Sequence, residues 1–306
     1  MAEARSAGAR LRALMARDRC VVMSGCHDAL SARVAESVGF EALAVSGFSV
    51  EAALLGRPDL GLMTMTELVD HCARITSTVN IPVISDADTG FGGIHNIART
   101  IREMERAGIA GVHIEDQLLP KRCPALDGRV LASDEEAVAR IRAACAARSD
   151  PDFLIIARCD GDAVSFDESV RRSRLYLEAG ADAVLPMMVE VNGVRAETIP
   201  AAERMRLYRD LVARIGGPAM GLNVPEGFHV DDMVEAGFRI FATPALALVA
   251  AANAMREALT EIRENGTGQA YFQRNPKILN SGRSIMELMH LDEMIAFETE
   301  MARPQG

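Results

Sequence analysis

The stretch "ERAGIAGVHIED", residues 105–116, decides the fold, because its pattern recurs along the chain. It reads as the end of a helix, then a glycine, then a short apolar run that ends on two acidic residues. A glycine just past a helix end supplies the left-handed cap that turns the chain into the next strand. Three further stretches share the helix end, the glycine and the apolar run: "ESVGFEALAVSG" at 36–47, "LEAGADAVLPMM" at 177–188 and "VEAGFRIFATPA" at 234–245.

Four more apolar runs lie between these units and also read as strands. Strands that are apolar on both faces and alternate with amphipathic helices indicate a parallel sheet with helices on each side. Eight such strands predict an α/β fold of the (β/α)8 TIM-barrel type, with an open doubly wound sheet as the alternative. The four runs are "CVVMSG" from Cys20, "IPVISDAD" from Ile81, "FLIIARCD" from Phe153 and "PAMGLNV" from Pro218.

The domain organisation follows from where the strand and helix pattern ends. We expect residues 1–265 to form the barrel, as a catalytic domain, and residues 266–306 to form a C-terminal helical extension. The extension contains "SIMELMHLDEM", 284–294, whose methionines recur at helical spacing. A completed barrel has no evident place for this apolar face. The extension is therefore predicted to be exchanged or packed between the subunits of a homodimer or homotetramer.

Composition limits the classes of function. With 306 residues, 49% of them hydrophobic, the chain can bury a large core. The net charge of −10 and the lack of a dense Lys/Arg run argue against binding to nucleic acid or to an anionic membrane. No apolar stretch reaches the roughly 18 residues that span a bilayer. The six cysteines are scattered, which is typical of a reducing compartment. We expect a cytoplasmic protein with a small-molecule ligand.

Acidic residues stand where several predicted strands end. In a (β/α)8 barrel these ends meet at one mouth, where function is found. Carboxylates that close raise one another's pKa unless a cation neutralises them, so a hard divalent ion is predicted there. Mg²⁺ suits ligands that are all oxygen, and Mn²⁺ is the alternative. His113, inside the fourth strand, is expected to be in the core or to line the mouth. The acidic residues are Asp86 and Asp88, Glu115 and Asp116, Asp160, and Glu226.

The connection after the fourth strand is unusually long. Residues 117–132, "QLLPKRCPALDGRVLA", separate Asp116 from a helix-capping sequence at Ser133, whereas such loops commonly have two to six residues. A long loop at a barrel mouth is typical of a lid. It carries Lys121, Arg122 and Cys123 in a row, and neighbouring cations favour the thiolate form of a cysteine. The alternative is that Cys123 is an ordinary surface thiol.

Five motifs stand in order along the chain: "SGFSVEAALLGRPDLG", "DADTGFGG", "HIEDQLLPKRC", "IIARCD" and "LNVPEG". Together they resemble the isocitrate lyase/phosphoenolpyruvate mutase superfamily, and within it the branch of methylisocitrate lyase, dimethylmalate lyase and carboxyphosphonoenolpyruvate mutase. The resemblance, from about Ser24 to Pro244, implies a (β/α)8 barrel, Mg²⁺, and the making or breaking of C–C or P–C bonds. These reactions would pass through an enolate-like intermediate of small α-oxo or α-hydroxy acids.

The resemblance also implies roles for individual residues. Asp86 would ligate Mg²⁺ directly, and Asp59, Asp88 and Glu115 would hold its waters. Cys123 would be the acid that protonates the departing enolate. Lys121 and Asp59 complete the predicted catalytic set. The predicted substrate-binding residues are Ser46, Gly47, Phe48, Asp86, Arg158, Asn223 and Glu226.

Three departures from the superfamily pattern bear on the substrate. Pro124-Ala125 stands where lyases commonly have Gly-His after the lid cysteine. Met187 or Met188 replaces a glutamate after the sixth strand, and Val249 replaces an arginine after the eighth. A third carboxylate on the substrate would then lack its cation, and an unpaired buried charge is costly. Isocitrate and methylisocitrate are therefore disfavoured.

The sequence thus predicts a Mg²⁺-dependent carbon–carbon lyase of this superfamily. Its substrate is expected to be a small 2-hydroxy dicarboxylate of the malate type, cleaved through an enolate to give an α-oxo acid. The alternatives are a hydrolase or decarboxylase of an oxaloacetate-like substrate and a carboxyphosphonoenolpyruvate-type mutase. A third possibility is a non-catalytic ligand-binding homologue.

Overall fold

The structure, a computed structural model, describes residues 5–275 and 282–303. In this part of the chain the strands are β1 Val21–Cys26, β2 Ala42–Val45, β3 Val83–Asp86, β4 Gly111–Glu115, β5 Leu154–Cys159, β6 Ala183–Pro186, β7 Glu190–Val191, β8 Val194–Arg195, β9 Met220–Leu222 and β10 Ile240–Thr243. The helices are α1 Ala7–Met15, α2 Ala29–Ser37, α3 Gly47–Val50, α4 Met65–Thr76, α5 Ile94–Arg106, α6 Asp134–Ala147, α7 Phe166–Glu178, α8 Ala201–Ile215, α9 Val230–Glu235, α10 Leu246–Asn265, α11 Gln269–Arg274, α12 Gly282–Leu288 and α13 Leu291–Met301.

Eight of the strands form one parallel sheet that closes into a barrel. Its order is β6-β5-β4-β3-β2-β1-β10-β9, and all of the pairings are parallel. The two ends of the sheet meet at a bridge between Val184 and Ala219, where the Val184 N–H donates to the Pro218 carbonyl at 3.0 Å. The predicted (β/α)8 barrel is confirmed, and the open sheet is wrong.

The repeated glycine turns have the conformation that the sequence requires. Gly39, Gly108, Gly180 and Gly237 have φ values of 96°, 80°, 108° and 100°. Side chains rarely adopt this left-handed region, so glycine at these four places turns each helix into the following strand. The pattern in the sequence is therefore a set of equivalent αβ turns at the amino-terminal end of the barrel.

Helix α1 closes that same end. Its Leu11 and Leu14 are buried in one cluster with barrel-interior residues such as Met23, Ile84 and Ile156. A Cβ atom at Gly8 would lie 2.5 Å from the Asp152 carbonyl oxygen, so α1 packs closely on the loop before β5. With this end filled by apolar side chains, the opposite mouth is the one left open for a ligand.

The strand register brings the polar residues of the mouth together. Asp86 at the end of β3 is paired with His113 of β4, and Glu115 at the end of β4 is paired with Arg158 of β5. Residues paired in a parallel sheet lie on neighbouring strands, about 4.8 Å apart. Four titratable side chains thus come from three adjacent strands at one edge.

Two features beyond the barrel complete the fold. The antiparallel pair β7 and β8, between β6 and α8, has no counterpart in the sequence prediction. Helices α11, α12 and α13 follow α10, and large apolar side chains of α13 are exposed, including Met294, at 69%, and Phe297, at 65%. None of the helices in residues 5–275 and 282–303 is long and apolar enough to cross a membrane.

Candidate active site

The centre of the site is a lysine held between two aspartates. Lys121, from the long loop after β4, is 2% exposed, and its Nζ atom contacts Asp59 and lies 2.8 Å from Asp88 Oδ1. Asp59 belongs to the loop after β2, and Asp88 follows β3. One ammonium group therefore joins three loops of the mouth. Although burial opposes its charge, the aspartates and Glu115 raise the pKa of Lys121, so it is protonated.

The end of β3 is built around the Asp86 carboxylate. Asp86 Oδ1 accepts the Asp88 N–H at 2.9 Å, and Oδ2 accepts the Gly47 N–H at 3.3 Å. A Cβ atom on Gly47 would lie 2.9 Å from Oδ2, so a larger residue here would displace the Asp86 carboxylate. Burial opposes ionisation of Asp86, but the fields of His113, Lys121 and Arg158 outweigh it and lower its pKa. Asp86 is therefore an anion.

Asp88 and Glu115, next to it, are in the opposite electrostatic situation. Burial, together with the charge of Asp86, raises the pKa of Asp88 to about 6. Burial raises the pKa of Glu115 well above its usual value, although Arg158 Nη1 lies 2.8 Å from Glu115 Oε2. Carboxylates that crowd one site without a metal cation are expected to share protons in this way.

Arg158, predicted to hold the substrate, has a fixed orientation. Its Nε and Nη2 atoms donate to the two oxygens of Asp160 at 2.9 and 3.0 Å. The same carboxylate accepts a bond from Arg129 Nη1 at 3.0 Å, and Arg129 also makes two bonds to Asp162. Two buried guanidinium groups thus share Asp160. The bidentate geometry leaves Arg158 one preferred direction.

Arg129 belongs to the base of the lid loop, which is also fixed through its backbone. Gln117 and Leu131 form an antiparallel bridge, and the Leu118 N–H donates to the Val130 carbonyl at 2.7 Å. The side chain of Gln117 bonds to the backbone of Arg122 through both of its ends. The lid is therefore a hairpin-like loop on an ordered base, with Lys121 and Cys123 near its tip.

Cys123 is half-buried and faces the Asp59 carboxylate. Burial raises the pKa of its thiol, and Asp59 adds to the effect. The expectation that Lys121 and Arg122 favour the thiolate is wrong, because the thiol is partly buried and bonds to Asp59, while the Lys121 ammonium contacts the aspartates. The thiol keeps its proton at neutral pH.

His113 lies in the mouth, as expected from its place in β4. Its Nδ1 atom is 3.4 Å from Asp86 Oδ1 and has no hydrogen bond to the described residues. Burial lowers its pKa, while Asp86 acts in the other direction. His113 is therefore a buried neighbour of the Asp86 carboxylate, with opposing influences on its pKa.

The oxygen atoms of the mouth fit a Mg²⁺ ion that retains water ligands. Asp86 is ionised, and Glu115 Oε1 is buried without a hydrogen-bond partner in the described part of the chain. Among residues 5–275 and 282–303, no three His, Cys, Asp or Glu side chains are grouped so that they could hold one ion together. Mg²⁺ is commonly bound by one or two carboxylates together with waters, so one direct ligand is compatible with this arrangement.

Four of the predicted binding residues lie at the mouth, and within residues 5–275 and 282–303 their side chains make no hydrogen bond or ion pair to this cluster. Ser46 is the residue before α3, and Phe48 is 37% exposed in its first turn. Asn223 and Glu226 are exposed on the loop after β9, where Asn223 has a φ of 55°. All four positions are at the carboxyl ends of strands, so a substrate that fills the mouth can reach them.

Two residues of the site were missed by reasoning from the sequence. Arg129 stands among polar residues of a loop, where a solvated arginine is the ordinary interpretation. Glu51 stands in an otherwise apolar run, "SVEAALLG", and that single acidic position is a signal that could have been noticed. The structure buries both side chains, with 9% and 1% exposed.

The residues that depart from the superfamily pattern after the sixth and eighth barrel strands lie in different surroundings. Met187, 9% exposed, packs in the cluster of the barrel interior, whereas Met188 packs in a cluster outside the barrel. Val249 is 49% exposed on α10. An apolar side chain, Met187, thus lies at the interior end of β6.

The fold and the site together define an enzyme of the (β/α)8 class with a carboxylate-rich mouth and a lid. The family model of phosphoenolpyruvate phosphomutase matches residues 11–263. A 2-methylisocitrate lyase of Aeropyrum pernix is 40% identical over 265 residues, which are 85% of this chain and 81% of the relative. A 2,3-dimethylmalate lyase of Eubacterium barkeri is 36% identical over 266 residues, 85% of this chain and 87% of the relative.

Solved structures show the same relationship. Phosphonopyruvate hydrolase in complex with oxalate and Mg²⁺ superposes with a TM-score of 0.83 and 29% sequence identity, covering 98% of this chain and 100% of the other. The chain belongs to the phosphoenolpyruvate phosphomutase family, within the isocitrate lyase/phosphoenolpyruvate mutase superfamily. The prediction of an enzyme of this lyase and mutase superfamily is confirmed.

Proposed function

We propose that the protein is a Mg²⁺-dependent lyase that cleaves a 2-hydroxy dicarboxylate of the malate type. The observation that carries the proposal is the position of Cys123, a half-buried thiol that the lid holds beside the Asp59 carboxylate, which also contacts Lys121. A lyase of this kind needs a proton donor for the carbon that leaves. A thiol that faces a carboxylate and keeps its proton at neutral pH is suited to that step.

The reaction balances as a retro-aldol cleavage. The 2-hydroxyl group gives its proton to a carboxylate of the mouth, the C2–C3 bond breaks, and C2 becomes the carbonyl carbon of an α-oxo acid. The electron pair of the broken bond stays on C3 as the enolate of a second carboxylic acid. Cys123 gives its proton to C3. No oxidant or reductant is needed.

The chain's own residues orient the substrate for this cleavage. Arg158, fixed by Asp160, presents a guanidinium group to a carboxylate, and the Gly47 N–H and Ser46 lie on the facing loop. Lys121 adds positive charge to a mouth that is otherwise acidic. Asn223 and Glu226 are proposed to contact the far end of the substrate.

Asp86 is proposed to hold Mg²⁺ directly, with Asp59, Asp88 and Glu115 around its waters; Mn²⁺ is an alternative ion. When bound, the ion supplies positive charge to the oxygen atoms of the substrate and of the enolate. It would also reverse the shift in the pKa of the neighbouring carboxyl groups, because these groups would then face a cation. The Mg²⁺ in the related phosphonopyruvate hydrolase structure supports this assignment.

The preference for two carboxylates rests on the apolar residue Met187. It lies at the interior end of β6, and a third carboxylate there would be buried without a cation. The 2,3-dimethylmalate lyase among the relatives supports a malate-type substrate, whereas the 2-methylisocitrate lyase acts on a larger acid by its name. We propose that alkyl-substituted malates are cleaved in preference to tricarboxylates.

The test is a substrate screen in which NMR detects the products. Purified protein with Mg²⁺ is incubated with malate, 2- and 3-alkylmalates, methylisocitrate, oxaloacetate and phosphonopyruvate. An α-oxo acid from a malate derivative supports the lyase. Turnover of phosphonopyruvate or oxaloacetate alone would instead support the mutase or hydrolase. Binding without turnover of any of these acids would point to a ligand-binding homologue.

The assembly, the domain division and the location are also proposals. We infer a barrel domain of residues 1–265 and an extension of residues 266–306 that packs between the subunits of a dimer or tetramer. The exposed apolar side chains of α13 support this packing. A cytoplasmic location is proposed from the scattered cysteines, all six of which are free.

A further inference from the structure

The loop that carries Asp59 is held by a buried carboxylate. Glu51 is 1% exposed, and its side chain accepts three backbone N–H bonds. Oε2 accepts from Leu60 at 3.0 Å, and Oε1 accepts from Leu62 at 2.7 Å and from Met63 at 3.2 Å. The three donors follow Asp59 directly in the sequence. Bonds of this kind to a charged acceptor are among the stronger ones in proteins.

Glu51 is also joined to the other side of the mouth. It is the first residue of a π-helix, Glu51–Leu55, which continues α3 without a break. Helix α3 begins at Gly47, whose N–H donates to Asp86. Single π-turns inside or beside helices are frequently found at functional sites. The Glu51 side chain thus crosses from the segment of Ser46 and Gly47 to the segment of Asp59.

We infer that Glu51 is a positioning residue that acts through Asp59. Its three bonds fix the backbone after Asp59, and the Asp59 carboxylate in turn contacts Lys121 and faces Cys123. Without these three bonds, the N–H groups of Leu60, Leu62 and Met63 would lose their acceptor. The Asp59 side chain would then no longer be held in a single position. The lid would then lose one of the two aspartates that hold Lys121. The part of the inference that concerns Asp59 in catalysis rests on the proposed function. The part that concerns the position of the lid does not.

The chain offers a direct probe of that position. It contains two lysines, Lys121 and Lys277. A protease that cuts only after lysine therefore has one cleavage site in the lid, after Lys121. Cleavage after Lys121 requires that the buried lysine leave Asp59 and Asp88. Cleavage after Lys277 serves as the internal reference. This measurement needs no substrate, so its outcome is independent of whether a malate derivative is turned over.

The decisive variant is Glu51→Gln, which keeps the shape but replaces one acceptor oxygen with an NH₂ group that faces a backbone N–H. We expect cleavage after Lys121, relative to Lys277, to become faster by on the order of 10-fold. Hydrogen exchange of the Leu60, Leu62 and Met63 amides should become faster as well. Asp59→Asn should also release the lid. The double variant should be cleaved at the rate of Asp59→Asn alone, because both substitutions break the same connection.

Turnover provides a second readout once a substrate is known. Glu51→Gln should lower kcat by about 10-fold while KM changes by less than about 3-fold, since Asp59 is not proposed to bind the substrate itself. In the Asp59→Asn background the same substitution should change kcat little. If Glu51→Gln does not fold, Glu51→Asp, which keeps a shorter carboxylate, is used in all of these comparisons.

Glu105→Gln is the matched control. Glu105 accepts the N–H groups of Ser149 and Asp150 at 2.7 and 2.9 Å, at the opposite end of the barrel. It should leave both the cleavage after Lys121 and the turnover unchanged. Wild-type cleavage in Glu51→Gln would overturn the inference. So would a double variant cleaved much faster than Asp59→Asn, because Glu51 would then act independently of Asp59.

Discussion

Lys121 Nζ lies 2.8 Å from Asp88 Oδ1, and the same ammonium group contacts Asp59. The lid is thus held on the mouth by charge, through a lysine that is 2% exposed. A buried ion pair that loses one partner leaves the other charge uncompensated. The ionisation of Asp88 and the position of the lid should therefore be linked.

The raised pKa of Asp88 predicts a pH dependence of stability in the metal-free protein. The folded pKa of Asp88, about 6, is above that of an exposed aspartate. A carboxyl group whose pKa is raised by folding stabilises the folded state at pH values below its pKa in the unfolded state. This stabilisation is lost as the pH rises through its pKa in the folded state. In EDTA, the free energy of unfolding of wild type relative to Asp88→Asn should fall by on the order of 2–3 kcal/mol between pH 4 and pH 7. Urea unfolding at several pH values measures it, and a constant difference would contradict it.

The second prediction concerns the metal. Asp86→Ala should abolish both turnover and Mg²⁺ binding, because Asp86 is the ionised carboxylate proposed as the direct ligand. Asp86→Asn, which keeps an acceptor for the Gly47 and Asp88 N–H groups, should do the same with a smaller loss of melting temperature. Isothermal calorimetry and an activity assay measure the two effects. Asp18→Asn, an exposed aspartate at the other end of the barrel, should behave as wild type. Full activity in EDTA would refute the metal assignment.

The third prediction concerns the proton donor. Cys123→Ser replaces the thiol with a much weaker acid, so kcat should fall by roughly 10²–10⁴-fold with a much smaller effect on substrate binding. Cys145→Ser is the control, since Cys145 is also half-buried but lies on α6 and bonds to the Gly180 carbonyl. Steady-state kinetics and calorimetry separate the two effects. Wild-type turnover in Cys123→Ser would remove the thiol from the mechanism and favour the mutase or hydrolase.

The fourth prediction concerns assembly. If α13 packs on a neighbouring subunit, Ile295→Asp and Phe297→Asp should shift the protein to a smaller species, because each places a charge in an apolar interface. Light scattering coupled to gel filtration measures the mass. Glu298→Lys, on the same helix, tests whether a change of charge alone has this effect. A wild-type protein that is already a monomer would show the assembly prediction to be wrong.

Local patterns in the sequence predicted the barrel well, because four of the αβ turns use a glycine such as Gly108 and each strand of the barrel is a short apolar run. The residues at strand ends, such as Asp86 and Arg158, were also predictable, since closure of the barrel places them at one mouth. The connections between loops were not. That Glu51 reaches the backbone after Asp59 depends on tertiary contacts, and no periodicity encodes them. The thiol of Cys123 was misjudged for the same reason: its neighbours in the sequence are cations, but its neighbour in space is Asp59.

The ordered base of the lid loop has a consequence for how this enzyme can change. Arg129 and the Gln117–Leu131 bridge fasten the two ends of the loop, so only the intervening tip, about residues 119–128, can swing. The tip contains the Pro124-Ala125 pair, and the base contains the bonds that orient Arg158 through Asp160. The side chains of the tip other than Lys121 and Cys123 could be exchanged on the same base without disturbing the barrel. New substrate preferences can then arise at these positions while the contacts of Lys121 to Asp59 and Asp88 are kept.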